Sequence, residues 1–300
     1  MGSSGGQTSA PWPVRAPWRV ELARGGVLDT ERRALVMGVL NVTPDSFSDG
    51  GQFLEPDSAV RRGLEMAREG ADVLDVGAES TRPGSEPVPA GEEKRRVLPV
   101  IQALAGQSEV PISIDTQKAD VARAALQAGA QIINDVSALR TDPAMGEVAA
   151  RSGAPLCLMH MQGEPRTMQQ RPTYGEVVSE VRSWLALRVE EAVRAGVPRE
   201  KVLVDPGFGF GKTVQHNLEV LRRLGEFAHL GCAVLIGTSR KSTIGAVLGA
   251  GPGERLYGTL ATVACAVMAG AHVVRVHDVG PALEVVRMCE AVRAGMRWCA

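Results

Sequence analysis

The chain has 300 residues, 44% of them hydrophobic, and a formal net charge of −1. That is ample apolar material for one large domain, and a (β/α)₈ barrel typically takes about 250 residues. The balanced charge gives no electrostatic case for nucleic acid or membrane as a partner, and no apolar run approaches the roughly 18 residues of a membrane span.

Residues 1–17, rich in Gly, Ser and Pro, read as a flexible tail without a charged-then-apolar signal. Residues 18–300 read as a single domain. It opens with a hairpin over residues 18–33, with Arg24-Gly25-Gly26 as the turn, placed to cover the lower end of a barrel. Eight strands are predicted next: Leu35–Leu40, Val73–Val76, Ile112–Asp115, Gln131–Asp135, Leu156–Met159, Val202–Asp205, Ala233–Gly237 and Val273–His277. Several are short and apolar throughout, which suits strands covered on both faces. Helical periodicity fills the gaps. Val177, Val181, Trp184 and Leu185 share one face, and so do Val214, Leu218, Leu221 and Leu224. Asp57 is placed to cap a helix start, and Gly70 and Gly129 to follow helix ends. Such alternation builds either an open doubly wound sheet or a closed barrel. No GxGxxG follows the first strand, and eight repeats favour closure, so the expected fold is an α/β (β/α)₈ TIM barrel with a short N-terminal hairpin. The five cysteines form no CxxC pair and read as incidental thiols of a reducing cytoplasm.

Parallel strands point one way, so polar residues at their C-terminal ends converge on one face. The first such segment is Asn41-Val-Thr-Pro-Asp-Ser-Phe-Ser-Asp-Gly-Gly51. The Asn41 amide oxygen can ligate a hard cation such as Mg²⁺, or close an Asx-turn. Asp75 through Gly84 includes Thr81 and Arg82, and an Arg on a loop can reach over a bound anion or simply be solvated. Asp115, Asn134 and Asp205 each end a strand. Each alone is an ordinary helix cap; together they offer the acceptors and donor that an amidine-edged heterocycle needs. In Asp205-Pro-Gly-Phe-Gly-Phe-Gly-Lys212, Phe208 and Phe210 can wall a planar ring or pack the core. The spacing is not that of a Walker A loop. Ser239 and Lys241 follow the seventh strand, and Arg275 and His277 share one face of the eighth. The pair serves either as an oxyanion fork or as a sheet ion pair, with a protonated histidine adding charge. His160 and His272 read as packing residues.

Taken in order, the segments 41–51, 75–84, 113–116, 132–137, 158–163, 205–212, 239–242 and 275–277 resemble those of dihydropteroate synthases. The resemblance runs from about residue 34 to the C-terminus. Ala78 departs from the glycine expected in many members, a difference of one methyl. It implies a (β/α)₈ barrel, usually dimeric. The implied reaction condenses 6-hydroxymethyl-7,8-dihydropterin diphosphate with 4-aminobenzoate, and sulfonamides compete with the latter. By the same resemblance, Asn41 corresponds to the Mg²⁺ ligand. Thr81, Asp115, Asn134, Asp205, Lys241, Arg275 and His277 correspond to residues that hold the pterin diphosphate. Arg82 corresponds to the cover of the aminobenzoate site, and Ser239 and Lys241 to its flank; Arg240 receives no role. Catalytic duty is expected of Asp115, Asp205, Lys241 and Arg82, and Phe210 and Ser239 are expected to bind substrate. A pterin-binding methyltransferase would not need the diphosphate anchor. A silent paralogue would bind pterin without releasing diphosphate.

Overall fold

In a computed structural model, the described residues are 12–13, 15–42, 56–80, 85–164 and 166–295. Their elements, in chain order, are β1 (Arg19–Glu21), β2 (Val27–Asp29), β3 (Leu35–Asn41), α1 (Pro56–Arg68), β4 (Val73–Gly77), α2 (Ala90–Gln107), β5 (Ile112–Asp115), α3 (Ala119–Ala128), β6 (Ile132–Asp135), α4 (Ala144–Ser152), β7 (Leu156–Met159), α5 (Val177–Arg194), β8 (Val202–Asp205), α6 (Val214–Arg222), β9 (Ala233–Ile236), α7 (Ser242–Leu248), α8 (Leu256–Met268), β10 (Val273–Val276) and α9 (Val279–Ala294). Strands β3 to β10 close into a parallel barrel, with β10 bonded to both β9 and β3. No described helix is long and apolar enough to cross a membrane.

The barrel strands carry little but Val, Leu, Ile and Met because they are buried on both faces. Alternation divides them between two cores. Outward residues such as Val36, Leu74, Ile114, Val204 and Val274 pack against the helices. The inward residues Met37, Val73, Ile132, Leu203, Leu235 and Val273 fill the lower barrel, together with Trp18, Val20, Leu22 and Leu28 of the hairpin. The β1–β2 hairpin thus plugs the barrel floor, as expected. Gly25 and Gly26 both take φ +89°, the turn geometry that only glycine adopts without strain. Trp18 Nε1 donates to Glu200 O at 2.7 Å, and Arg24 donates to the α3 carbonyls of Leu126 and Gln127 at 2.8 and 2.9 Å. Arg15 and Ala16, read from sequence as tail, also bond to the barrel, Arg15 to Glu290 at 2.5 Å and Ala16 O to His272 Nε2 at 3.0 Å.

Helix ends follow local chemistry. Thr213 accepts from His216 N, and His216 answers with its ring, a reciprocal cap for α6. The Glu176 carboxylate accepts from Val178 N and Ser179 N at the start of α5. Gly129 closes α3, as expected. Three readings need correction. Leu218 is exposed; the buried face of α6 carries Asn217, Val220 and Leu221, because the helix ends at Arg222 and Leu224 packs from the next turn. Asp57 lies inside the first turn of α1, since the helix starts at Pro56. Gln131, Gly237 and His277 fall just outside their strands, and Asn41 and Gly77 fall inside theirs.

Candidate active site

The barrel register sets polar residues side by side above the apolar plug. Asp75 pairs with Ser113, Gly77 with Asp115, Asp115 with Asn134, and Met159 with Asp205. Alternation turns Asp75, Asp115, Asn134, Asp205 and Arg275 to the same inner side as the plug residues two positions earlier. Contacts between them bear this out. Arg275 Nε donates to Asp75 Oδ2 at 2.6 Å, and its Nη2 donates to Asp115 Oδ2 at 2.7 Å. Asn134 Nδ2 donates to the same Asp75 oxygen at 3.0 Å. One guanidinium therefore joins β10 to β4 and β5, and one carboxylate joins it to β6.

The arginine thus engages two carboxylates through two of its five N–H donors. Burial disfavours three ionised groups in one place, and the two carboxylates are the nearest counter-charges. Asp75, which carries no assigned role in the sequence reading, is the hub of the network. Its buried Oδ1 has no hydrogen-bond partner among the described residues. Burial pushes Asp115 up to about 7 against the pull of Arg275, with Asp75, Glu93 and Asp135 adding to the rise. Asp135 faces the other way. Its carboxylate accepts from Ser137 N, Ser137 Oγ and Leu139 N, which shapes the β6–α4 loop.

Asp205 ends β8. Its Oδ1 accepts from Gly207 N at 2.7 Å. Burial raises it to about 6, opposed by that N–H and by Lys241, Arg275 and Lys212. The following loop needs its glycines. Gly207 has φ +69°, and a Cβ there would lie 1.8 Å from His160 O. A Cβ on Gly209 would press on Lys241 Cδ at 3.1 Å. The two phenylalanines part company: Phe208 belongs to the core between barrel and helices, whereas Phe210 packs with Val136, Met159, Met161 and Met168. Lys241 Nζ lies 3.9 Å from the Phe210 ring centroid, a cation–π contact. Only Phe210 remains available as a wall.

His277 and Ser239 meet on the neighbouring strands. The Ser239 hydroxyl accepts from His277 N at 3.2 Å and lies 2.9 Å from its Nδ1. In the tautomer where the hydroxyl donates to Nδ1, the ring proton sits on Nε2, which has no partner among the described residues. Burial, with Arg275 next, pulls His277 down to about 3, so at neutral pH it offers an N–H donor without the charge that protonation would add. Arg240, given no role, bonds through Nε and Nη2 to Asp278 at 3.1 and 2.5 Å and takes φ +58°. It ties the β9–α7 loop to the start of α9. His160 and His272 are packing residues as expected; His272 accepts from Val234 N at 3.0 Å, and burial lowers it to about 4.

Asn41 ends β3 beside Gly77. Its side chain has no hydrogen-bond partner among the described residues, so its amide oxygen fits as one hard ligand to a cation. No group of three His, Cys, Asp or Glu that could hold a metal occurs among the described residues. Thr81, Arg82 and most of the 41–51 loop lie outside the described residues. At the base of the second loop, Ser85 Oγ donates to Ser80 O at 2.5 Å.

Comparison with known proteins gives a consistent picture. The family described as "Pterin binding enzyme" matches residues 37–277. A dihydropteroate synthase of Escherichia coli (strain K12) is 50% identical over 256 residues, 85% of this chain and 90% of that one. The Yersinia pestis dihydropteroate synthase with a sulfonamide drug superposes with a TM-score of 0.87 at 43% identity, covering 92% of this chain and 100% of that one. A Xanthomonas albilineans dihydropteroate synthase in complex with 7,8-dihydropteroate gives 0.83 at 43% identity, covering 92% and 99%.

Proposed function

This chain belongs to the dihydropteroate synthase family of pterin-binding enzymes, and on that footing we propose how its barrel mouth carries out the family's reaction. The enzyme is a transferase of folate synthesis: it condenses 6-hydroxymethyl-7,8-dihydropterin diphosphate with 4-aminobenzoate to give 7,8-dihydropteroate and diphosphate. The observation that carries the site assignment is the Asp75–Asn134–Arg275–Asp115 network at the C-terminal ends of β4, β5, β6 and β10.

In this reading Asp115, Asn134 and Asp205 face the pterin edge. Carboxylates accept from its N–H groups, and such charge-assisted bonds contribute about 1.5–3 kcal/mol each. The Phe210 ring and the Lys241 stem wall the ring plane. Arg275 and the His277 Nε2–H receive the diphosphate, a role that Thr81 shares by its match to the family's motif. Ser239, Lys241 and Arg82 border the aminobenzoate. Asn41 would hold a Mg²⁺, which when bound neutralises charge growing on the leaving diphosphate. Asp115 and Asp205 place negative charge where positive charge grows on the pterin methylene as its C–O bond breaks, which favours a dissociative, SN1-like path. The aryl amine is neutral at pH 7 and has a free lone pair, so its attack requires no strong general base. Exclusion of water from the site protects the cation until then.

We read residues 18–300 as one catalytic unit and the chain as a cytoplasmic homodimer. Supporting the dimer, the neighbouring helices α7, α8 and α9 expose Val247, Leu248, Tyr257, Met288 and Val292. Supporting a reducing compartment, the four described cysteines are all free. The deciding experiment supplies pterin diphosphate, Mg²⁺ and 4-aminobenzoate and measures diphosphate. Release that depends on 4-aminobenzoate supports the synthase; pterin binding without release rejects it.

A further inference from the structure

Behind Asp205 lies a cation that none of these steps uses. Lys212 is 2% exposed. An ammonium has three N–H donors, and three acceptors surround this one: Gly207 O at 3.0 Å, Phe210 O at 3.2 Å and His160 Nδ1 at 2.9 Å. No carboxylate among the described residues bonds to it. A buried lysine ordinarily pairs with an acid or gives up its proton. This one is committed to two carbonyls of the loop that joins Asp205 to α6, and to an imidazole at the end of β7.

The rest of that loop is tied down as well. Gly209 N donates to Asn217 Oδ1 at 2.7 Å, Gln169 Nε2 to Gly209 O at 2.6 Å, and Tyr174 Oη to Gly211 O at 2.8 Å. Every one of these bonds fixes the backbone that carries Asp205 at one end and Phe210 near the other. Lys212 is the only charged group among them.

We propose that Lys212 is a positioning residue for pterin recognition: its ammonium ties down the loop that sets Phe210 against Lys241 and holds Gly207, whose N–H anchors the Asp205 carboxylate. The inference rests on the pterin reading above. The charged and titratable groups around Lys212 are His160 on β7, Asp205 on β8, Lys241 after β9, and the Tyr174 ring 6.0 Å from Nζ. Burial holds His160 neutral, with a value near 2, so it adds no competing charge. Burial also pulls Lys212 down to about 7 against the pull of Asp205. Removing the ammonium loosens Gly207, and both the Gly207 N–H and the lysine favour the ionised Asp205, so the Asp205 midpoint moves upward.

The test uses Lys212→Met, which removes charge and donors, and Lys212→Gln, which keeps a donor for the loop carbonyls without charge. The Asp205 carboxyl is titrated by ¹³C NMR in each, with Asp205→Asn for assignment, and 6-hydroxymethylpterin binding is measured at the same pH values. The expected result in the folded variants is a midpoint about one unit higher and pterin binding about tenfold weaker below it. Should Lys212→Met fail to melt cooperatively, Lys212→Gln decides. An unchanged midpoint in a folded Lys212→Gln overturns the proposal, and so does failure of both variants to fold, since that assigns Lys212 to the fold alone. The carboxyl titration needs no substrate, so its outcome is separable from the diphosphate assay.

Discussion

Arg275 and Asp115, 160 residues apart in sequence, are joined by an Nη2–Oδ2 bond of 2.7 Å across the barrel mouth. The same guanidinium holds Asp75 through Nε. In the proposed reaction the arginine serves the diphosphate and the aspartate serves the pterin, so the bond joins the two halves of one substrate site. Asp115→Asn keeps the shape and removes the charge. Turnover is expected to fall about 100-fold or more, the scale of losing one electrostatic contact to a transition state. Binding of Mg²⁺-diphosphate is expected to persist. Steady-state kinetics with diphosphate calorimetry checks both; unchanged turnover discards the electrostatic role.

A pH dependence follows from the raised carboxyls. Asp115 lies near 7 and Asp205 near 6, chiefly through burial. A protonated carboxyl cannot accept two pterin N–H bonds, so pterin affinity is high above these values and declines as pH falls through them. The slope approaches about tenfold per pH unit for each group that must ionise. Calorimetric pterin titrations from alkaline to acidic pH measure it, and an affinity that rises on acidification contradicts the assignment.

Gly207→Ala probes the loop. The new Cβ would sit 1.8 Å from His160 O at a φ of +69°. Relief requires moving the Asp205 loop away from β7, at a cost on the order of 1–3 kcal/mol. Chemical denaturation should show that loss together with weaker pterin binding. A fully stable variant with normal binding would mean the loop is not fixed as described.

Trp18→Ala separates floor from mouth. Trp18 is 7% exposed and fills the barrel bottom with Val20, Leu22 and Leu28. Large-to-small changes of this kind cost about 3–5 kcal/mol. Stability should drop by that amount while kcat at low temperature stays near normal, because the site is at the other end of the strands. A selective loss of kcat without destabilisation would place the hairpin in the reaction.

Much of this arrangement is visible in the residues themselves. Short runs such as Leu156–Met159 and Val202–Asp205 announce buried parallel strands, and their ends carry Asp205 and its neighbours to one face. The hairpin turn at Gly25-Gly26 is equally plain. Pairing is not. Nothing in the order of residues says that Arg275 will spend its donors on Asp75 and Asp115, because that depends on which strands adjoin across the closed barrel. Phe208 and Phe210 look alike in sequence, and only the turn between them sends one to the outer core and one to the site. Lys212 reads as the end of a glycine-rich motif, and its burial beside His160 comes from two loops meeting. The charge state of His277 is a related case: burial beside Arg275, not sequence context, sets it.

The central claim is that one pterin diphosphate spans both parts of the mouth. A crystal structure of the protein with 6-hydroxymethyl-7,8-dihydropterin diphosphate measures this directly. The account predicts the pterin edge against Asp115, Asn134 and Asp205, with the diphosphate of the same molecule on Arg275 and His277. A pterin ring bound away from those aspartates, or a diphosphate out of reach of Arg275, would contradict it.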